Sequence, residues 1–235
     1  MSYSLIIPIY NEENSLPTLL KKLNALPKNI EIIIIDDGSS DKTSLILKSI
    51  TTRIKILKNS RNFGKGYSIR RGLKLSTNKN IILMDGDLEI NIDDIPKLIK
   101  KFINNSNNVI VGTRWSKKSD WEYNINSLGN YFINFLFNQL YNSNLSDILC
   151  CVKIMKKTLF KSLNIKSNGF GIEAETMTKL ILKKVNIKEV SINYKRRTKK
   201  QGKKLRLSDS WNIIFIIFKL KLMRNICSLS NSNNC

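Results

Sequence analysis

Residues 30–43 read IEIIIIDDGSSDKT, a nearly unbroken isoleucine run that ends in two aspartates and a glycine. A continuous β-branched run of this length indicates a strand buried on both faces, as in a parallel sheet. Ser39–Asp41 then resemble the cap of a helix, which we predict to continue to about Ile50. The same order of strand, polar turn and helix is repeated through the first half of the chain.

The remaining elements follow from the same kind of pattern. We predict strands at 4–9, 30–35, 53–58, 80–84, 108–112, 152–155 and 188–194. We predict helices at 16–26, 41–50, 64–75, 95–103, 130–140, 173–184 and 208–223. This alternation predicts an α/β, Rossmann-like fold whose doubly wound, mostly parallel sheet has helices on both faces. We expect one domain over residues 1–206, followed by a C-terminal amphipathic helix and polar tail over residues 207–235.

The composition excludes several kinds of chemistry. The 235 residues include no histidine, which rules out Ser-His-Asp and Cys-His catalysis and histidine-ligated zinc. Forty Lys and Arg against 18 Asp and Glu give a formal charge of +22. This charge favours anionic partners, and a general drift of the composition towards lysine is a second source of the same charge. The sequence shows no CxxC pair, signal peptide or membrane-spanning apolar run. We therefore expect a cytoplasmic protein that is either free in solution or lies on a membrane.

Acidic residues follow three of the predicted strands. Glu12 comes after the first strand, Asp37 after the second, and Asp85-Gly86-Asp87 after the fourth. Because ligands of open parallel sheets bind beyond the carboxyl ends of the strands, these carboxylates should meet at one edge. Oxygen ligands suit Mg²⁺ or Mn²⁺, which can also hold a diphosphate. The other interpretation of the short aspartate motif is a loop that caps the next helix.

Eight motifs carry a resemblance to a known family and to one of its branches. PIYNEEN (8–14), IIIIDDGSSDKT (32–43), RNFGKGYSIRRG (61–72) and MDGDLE (84–89) resemble the nucleotide-sugar domain of family 2 glycosyltransferases of the GT-A type. GTRW (112–115), SDILCCVK (146–153), GFGIEAE (169–175) and YKRRTKKQGKKL (194–205) are similar to its dolichyl- and polyprenyl-phosphate sugar synthases, which transfer mannose or glucose. The resemblance extends to about residue 223. It implies an inverting, metal-dependent transfer of a hexose from a GDP- or UDP-sugar to a polyprenyl or dolichyl phosphate.

The resemblance also implies a role for individual residues. The positions that match contacts to the nucleotide base and ribose are Pro8, Tyr10, Glu12, Ile35 and Asp37. The positions that match the metal and diphosphate motif are Asp85, Gly86 and Asp87, with Glu89 as a further ligand of the Mg²⁺ or Mn²⁺. The positions that match basic groups facing the phosphates are Arg114, Arg197, Lys203 and Lys204.

The last three of these basic residues belong to one stretch. Between Lys195 and Arg206 the sequence has eight Lys or Arg residues and no acid. Such a run is either a solvated turn or, as the resemblance implies for Arg197 and Lys204, a flap that closes over the donor. A cation aimed at the charge that develops on a leaving diphosphate would favour the transfer. We therefore predict catalytic roles for Arg197 and Lys204, together with Arg114 and Asp87.

The acceptor decides whether a base is needed. A lipid phosphate is already an anion, whereas a hydroxyl on a glycan, protein or small molecule needs a carboxylate to remove its proton. Asp147 is the candidate base in that second case, and a turn or cap residue otherwise. A hypothesis of another class is a non-catalytic basic module that binds nucleic acid or membrane. The acidic strand ends would repel nucleic acid, so no such partner is expected.

The predicted C-terminal helix carries a mixed signal. Its apolar residues on one side are Trp211, Ile214, Phe215, Phe218 and Leu222, and its basic residues at the end are Lys219, Lys221 and Arg224. A helix of this kind either lies in a membrane interface or packs on the main domain. We expect a peripheral protein on the cytosolic face of a membrane, and the sequence leaves a membrane-protein partner open.

Overall fold

Strands and helices alternate along the chain, as the sequence predicts. The computed structural model describes residues 1–50, 53–104, 109–115, 125–197 and 207–232. The strands are β1 Tyr3–Ile9, β2 Ile30–Asp36, β3 Ile54–Lys58, β4 Asn80–Leu83, β5 Val109–Thr113, β6 Lys153–Lys156 and β7 Ile187–Ser191. The helices are α1 Leu16–Ala25, α2 Thr43–Lys48, α3 Lys65–Leu75, α4 Ile95–Ile103, α5 Ile125–Tyr141, α6 Lys157–Ser162, α7 Ile172–Leu182 and α8 Leu207–Ser232, with a 3-10 turn at Ile92–Asp94.

The seven strands form one sheet in the order β3-β2-β1-β4-β6-β5-β7. β1 pairs in parallel with β2 and β4, β2 with β3, and β5 with β7. On one side of β1 the sheet continues through β2 to β3, and on the other side it continues to β4. The strand order therefore reverses between β1 and β4, the place where open α/β sheets bind ligands. The predicted doubly wound, mostly parallel sheet is confirmed.

One strand runs against the others. β6 is antiparallel to both β4 and β5. The chain between α5 and β6 returns to the edge where β5 ends, because the hydroxyls of Thr113 and Ser146 lie 2.8 Å apart and Gly112 N donates to Val152 O over 3.0 Å. β6 therefore starts beside the end of β5 and runs back along it.

The core lies on both sides of the central strands. Ile32, Ile33, Ile34 and Ile35 of β2 have no solvent exposure, as the unbroken isoleucine run predicts. Burying each of these side chains stabilises the fold by about 1.5–3 kcal/mol. Helix α3 packs closely over this sheet at Gly72, where a Cβ would lie 2.6 Å from Ile6 Cγ2 and 2.7 Å from Ile35 Cδ1. The sheet thereby holds the start of α3 near the carboxyl edge.

The bounds of several helices differ from the prediction. α5 begins five residues earlier than predicted, at Ile125, and α2 ends at Lys48. α6 and the 3-10 turn were not predicted, because six and three residues are too short to show a helical period. β7 ends at Ser191 rather than at 194, since Tyr194 makes an isolated bridge to Ile90 instead.

The C-terminal helix is longer than predicted and packs on the domain. α8 extends to Ser232, and its Ile213 and Ile217 are buried in the same core as the sheet. The Tyr141 hydroxyl at the end of α5 donates to Ile217 O over 2.7 Å. Within the described ranges, no helix combines the length and apolar character needed to cross a membrane. The boundary at residue 206 stays a prediction, since that residue lies outside the described ranges.

Candidate active site

The loops after β1 and β2 are bonded to each other at the carboxyl edge of the sheet. Asn11 N donates to the Ser39 hydroxyl over 2.9 Å, and Glu12 N donates to the Thr43 hydroxyl over 2.8 Å. Asn11 has a φ of 49°, a left-handed conformation that asparagine tolerates better than most residues and that turns the chain sharply. These bonds fix Glu12 beside the switch point between β1 and β4.

Arg197 joins two of the predicted acidic residues. Its Nη1 and Nη2 atoms donate to the two carboxylate oxygens of Glu12 over 2.8 and 2.9 Å. Its Nη2 also lies 3.8 Å from Oδ2 of Asp87. Glu12 is buried, and such a bidentate, charge-assisted pair is stronger than a neutral hydrogen bond. The structure therefore brings together Glu12, Asp87 and Arg197, from opposite ends of the sequence.

The backbone before Arg197 is bonded to the acidic loop after β4. Ile90 and Tyr194 form an antiparallel bridge, and Lys195 N donates to Glu89 O over 2.7 Å. Arg197 N donates to Oε1 of Glu89 over 2.9 Å. The start of the basic stretch is thereby fixed to the acidic motif by three contacts. Lys203 and Lys204, predicted in the same stretch, lie outside the described residues.

A buried lysine lies between Asp85 and α7. Lys65 Nζ lies 2.5 Å from Oδ1 of Asp85 and 2.5 Å from Oε1 of Glu173. Burial lowers the pKa of Lys65, but the charges of Asp85 and Glu173 outweigh it and hold that pKa well above its usual value. Lys65 therefore stays a cation that neutralises one of the two aspartates of the motif.

Asp87 has less compensation for its charge. Glu89 N donates to its Oδ1 over 3.1 Å, while the Arg197 guanidinium stays beyond hydrogen-bond distance. Burial, followed by the charges of Asp85 and Glu89, raises the pKa of Asp87 to about 7. A divalent cation would offset this repulsion, so the chemistry of the carboxylates fits Mg²⁺ or Mn²⁺. In the described part of the chain, no group of three or more His, Cys, Asp or Glu side chains is placed to hold a metal ion.

Arg114 and Asp147 form a further buried ion pair. The Nε and Nη2 atoms of Arg114 donate to the two oxygens of Asp147 over 2.7 Å each, and Arg114 N donates to Oδ2 over 3.1 Å. The Arg114 guanidinium also lies 5.4 Å from the ring centre of Tyr194. Burial and the nearby Glu89 raise the pKa of Tyr194, which stays a neutral phenol. Asp147, the predicted base, thus has both oxygens occupied by a cation.

The residues predicted to hold the nucleotide base are placed around the ends of β1 and β2. Asp37 accepts hydrogen bonds from Asn59 Nδ2 over 2.6 Å, from Phe63 N over 3.1 Å and from Gly64 N over 2.8 Å. These bonds shape the loop that leads into α3. Pro8 and Ile35 are buried within their strands and Tyr10 is half-buried at the end of β1. Their contacts to a nucleotide stay predictions.

Sequence reasoning missed Lys65, Glu173 and Tyr194 as members of the site. Lys65 stands between two glycines, and this was the available signal. A Cβ at Gly66 would lie 2.1 Å from Ser167 O, so a glycine is needed where α3 begins against the loop before α7. That close approach brings Lys65 and Glu173 together. A single sequence does not show which distant acid meets the lysine.

Comparison with known proteins shows a family and includes prenyl-phosphate sugar transferases among the relatives. A sequence profile for glycosyl transferase family 2 matches residues 4–163, more than half of the chain. The dodecaprenyl-phosphate galacturonate synthase of Rhizobium johnstonii is 27% identical over 70% of this chain and 51% of its own length. The undecaprenyl-phosphate 4-deoxy-4-formamido-L-arabinose transferase of Photorhabdus laumondii is 31% identical over 68% of this chain and 50% of its own length. The chain thus spans about half the length of these two transferases.

The fold has solved counterparts. The glucosyl-3-phosphoglycerate synthase of Mycobacterium tuberculosis, crystallised with Mn²⁺, uridine diphosphate and phosphoglyceric acid, superposes with a TM-score of 0.73. The match covers 94% of this chain and 78% of that chain at 15% identity, so it shows the fold alone. The sequence profile shows the family. The acidic edge lies at the strand-order switch between β1 and β4, where open α/β sheets bind ligands. The chain therefore belongs to glycosyl transferase family 2 and is a glycosyltransferase with the GT-A fold.

Proposed function

We propose that the chain transfers a hexose, with inversion, from a GDP- or UDP-sugar to a polyprenyl or dolichyl phosphate. The observation that carries the proposal is Arg197, a cation held between Glu12 and Asp87 at the carboxyl edge of the sheet. The names of the two relatives support the acceptor class, since both contain a prenyl phosphate although their sugars differ. The solved counterpart with uridine diphosphate and Mn²⁺ supports a nucleotide donor.

The donor diphosphate would lie along the acidic motif. Asp85 and Asp87, with Glu89 beside them, would hold Mg²⁺ or Mn²⁺, and the ion pair with Lys65 fixes the Asp85 carboxylate in position. A cation there would offset the negative charge that develops on the departing nucleotide. Gly86 lies close to β1, since a Cβ at this position would be 2.4 Å from Ile9 Cγ2. This close contact keeps the acidic motif next to the strand ends.

Arg197 would contribute by exchanging partners. Its guanidinium binds the two oxygens of Glu12, and a phosphate offers the same arrangement of two acceptors. A bound diphosphate would therefore draw Arg197 from Glu12 onto the leaving group. Lys203 and Lys204 follow in the same stretch and would add to the positive charge, as would Arg114.

The geometry around Asp147 favours a phosphate acceptor over a hydroxyl. Both oxygens of Asp147 accept hydrogen bonds from Arg114, so this carboxylate is poorly placed to take a proton from an alcohol. A prenyl phosphate needs no base, because its oxygen is already anionic. The reaction would take place at the cytosolic face of a membrane, where the lipid acceptor is held.

The test compares two acceptors that differ only by the presence of the phosphate group. The full chain is incubated with labelled UDP- and GDP-sugars, Mg²⁺ or Mn²⁺, and either a short-chain polyprenyl phosphate or the matching polyprenol. We expect a labelled glycolipid only with the phosphate. Asp87→Asn should nearly abolish it, whereas Asp93→Asn, at an exposed aspartate paired with Lys22, should not.

A second variant separates the two acceptor classes. Loss of a general base costs about 10²–10⁴ in rate. Asp147→Asn should lower transfer to the phosphate by less than tenfold and leave the shape of its pH profile unchanged. Transfer to the polyprenol, together with loss of that transfer in Asp147→Asn, would reject the phosphate acceptor in favour of a hydroxyl.

A further inference from the structure

Helix α8 exposes an aromatic stripe on the side away from the core. Trp211, Phe215 and Phe218 are 74%, 62% and 45% exposed, whereas Ile213 and Ile217 on the opposite side are buried. The spacing of four and three residues places the exposed rings in one line along the helix. A helix that only packs on a domain presents polar residues to water, so this outer stripe requires a different explanation.

Helix α5, which packs on α8, repeats the pattern. Tyr131, Phe132 and Phe135 are 55%, 56% and 50% exposed, and Phe137 is buried. No residue of α5 is charged. The two helices are joined where Lys221 Nζ donates to Leu140 O over 2.5 Å. Exposed aromatic rings are therefore a shared property of the two packed helices.

Basic residues border the α8 stripe. Lys219 and Lys221 lie on its two sides, about 80° around the helix in each direction, and Lys219 Nζ lies 5.8 Å from the Phe215 ring centre. Aromatic rings bordered by lysines suit the boundary between lipid headgroups and acyl chains. A second copy of the chain is a poor occupant, because each copy carries a formal charge of +22 and would repel the other.

The stripe lies on a helix that adjoins the candidate active site. A Cβ at Gly171 would lie 2.3 Å from Ile216 Cδ1, so α8 is packed against the start of α7. Glu173, two residues further on, binds Lys65, which binds Asp85. A surface that receives α8 is thus close to the acidic edge of the sheet.

We propose that α8 docks on an anionic lipid bilayer through Trp211, Phe215 and Phe218. The rings enter the headgroup region, and Lys219, beside the Phe215 ring, meets lipid phosphates. The docking itself stands on the exposed stripe and the charge. Its role in presenting the acceptor rests on the proposed function.

The test measures binding of the full chain to vesicles. In flotation with phosphatidylcholine vesicles that contain 30% phosphatidylglycerol, we expect the wild type to bind and pure phosphatidylcholine to bind at least tenfold more weakly. Phe215→Ser combined with Phe218→Ser should weaken binding at least tenfold. The matched control is Leu45→Ser on α2, a similarly exposed apolar residue (65%), which should bind like the wild type. Circular dichroism and thermal melting confirm that each variant is folded.

Three results would overturn the docking proposal. They are failure of the wild type to bind anionic vesicles, equal binding by the double variant, and a dimer in light scattering that the double variant dissociates. Vesicle binding without sugar transfer would leave the docking in place and remove the proposed function. Transfer to a water-soluble prenyl phosphate without vesicle binding would support the proposed function and overturn the docking proposal.

Discussion

Replacing Lys65 by methionine should destabilise the fold and leave two carboxylates without their cation. The Lys65 side chain is 10% exposed, and its partners Glu173 and Asp85 are 8% and 27% exposed. Removing one partner of a buried ion pair costs about 3–5 kcal/mol. The partial exposure of Asp85 lowers the expected cost to about 2–4 kcal/mol. In urea unfolding followed by circular dichroism, the midpoint should fall while the slope stays unchanged.

The controls separate loss of charge compensation from loss of packing. Lys74→Met, at an exposed position in the last turn of α3, should change stability by less than about 0.5 kcal/mol. Adding Glu173→Gln to Lys65→Met removes one uncompensated carboxylate charge and should recover about 1–2 kcal/mol of the free energy of unfolding. The reasoning would be refuted if Lys65→Met cost no more than Lys74→Met, or if Glu173→Gln added its full separate cost to the Lys65→Met background.

Three further changes test other parts of the structure. Burial raises the pKa of Glu31, but hydrogen bonds led by Lys55 outweigh it and lower that pKa from 4.5 to about 2. The ionised group therefore stabilises the fold above about pH 4.5 and loses this effect towards pH 2, so Glu31→Gln should cost about 1–2 kcal/mol at pH 7 in thermal unfolding. Gly66→Ala should cost about 1–3 kcal/mol in urea unfolding, because the new Cβ meets the backbone of Ser167. Arg197→Met should weaken binding of UDP or GDP with Mn²⁺ by about 10–100-fold in calorimetry.

Each of these three predictions has a result that would contradict it. Glu31→Gln should match the wild type near pH 2, and a constant difference across pH would point to lost packing. Gly169→Ala is the control for Gly66→Ala, since nothing lies within 4 Å of a Cβ there. Equal stability of the two alanine variants would contradict the close approach of α3. Lys21→Met, at an exposed position on α1, should leave nucleotide affinity unchanged, and an equal loss there would indicate a general charge effect.

The fold was largely predictable because its strands carry a strong local signal. Ile32–Ile35 could be assigned to a central strand, since a run buried on both faces has no polar alternation. The reversed direction of β6 was not predictable, because it depends on where the loop around Ser146 crosses the sheet. The start of α5 and the end of α8 were misjudged, because residues 125–129 and 224–232 are largely polar and show little apolar periodicity.

The candidate site was predictable to the level of its acidic edge and not to its ion pairs. Strand ends in a parallel sheet share an edge, which is why Glu12, Asp37 and Asp87 could be grouped from the sequence. Which cation meets which carboxylate depends on packing between segments far apart in the chain. Arg197 and Lys65 each contact acids that are distant in sequence, and no local pattern encodes those contacts.

The antiparallel bridge between Ile90 and Tyr194 has a consequence for how the site tolerates change. Side chains alternate along an extended segment, so a slip of one residue in this pairing would turn every following side chain to the opposite face. Arg197, three residues beyond the bridge, would then point away from Glu12. Inserting or deleting a single residue between 194 and 197 should therefore be more damaging than replacing any one side chain there, because it would misdirect the cation without altering its chemistry.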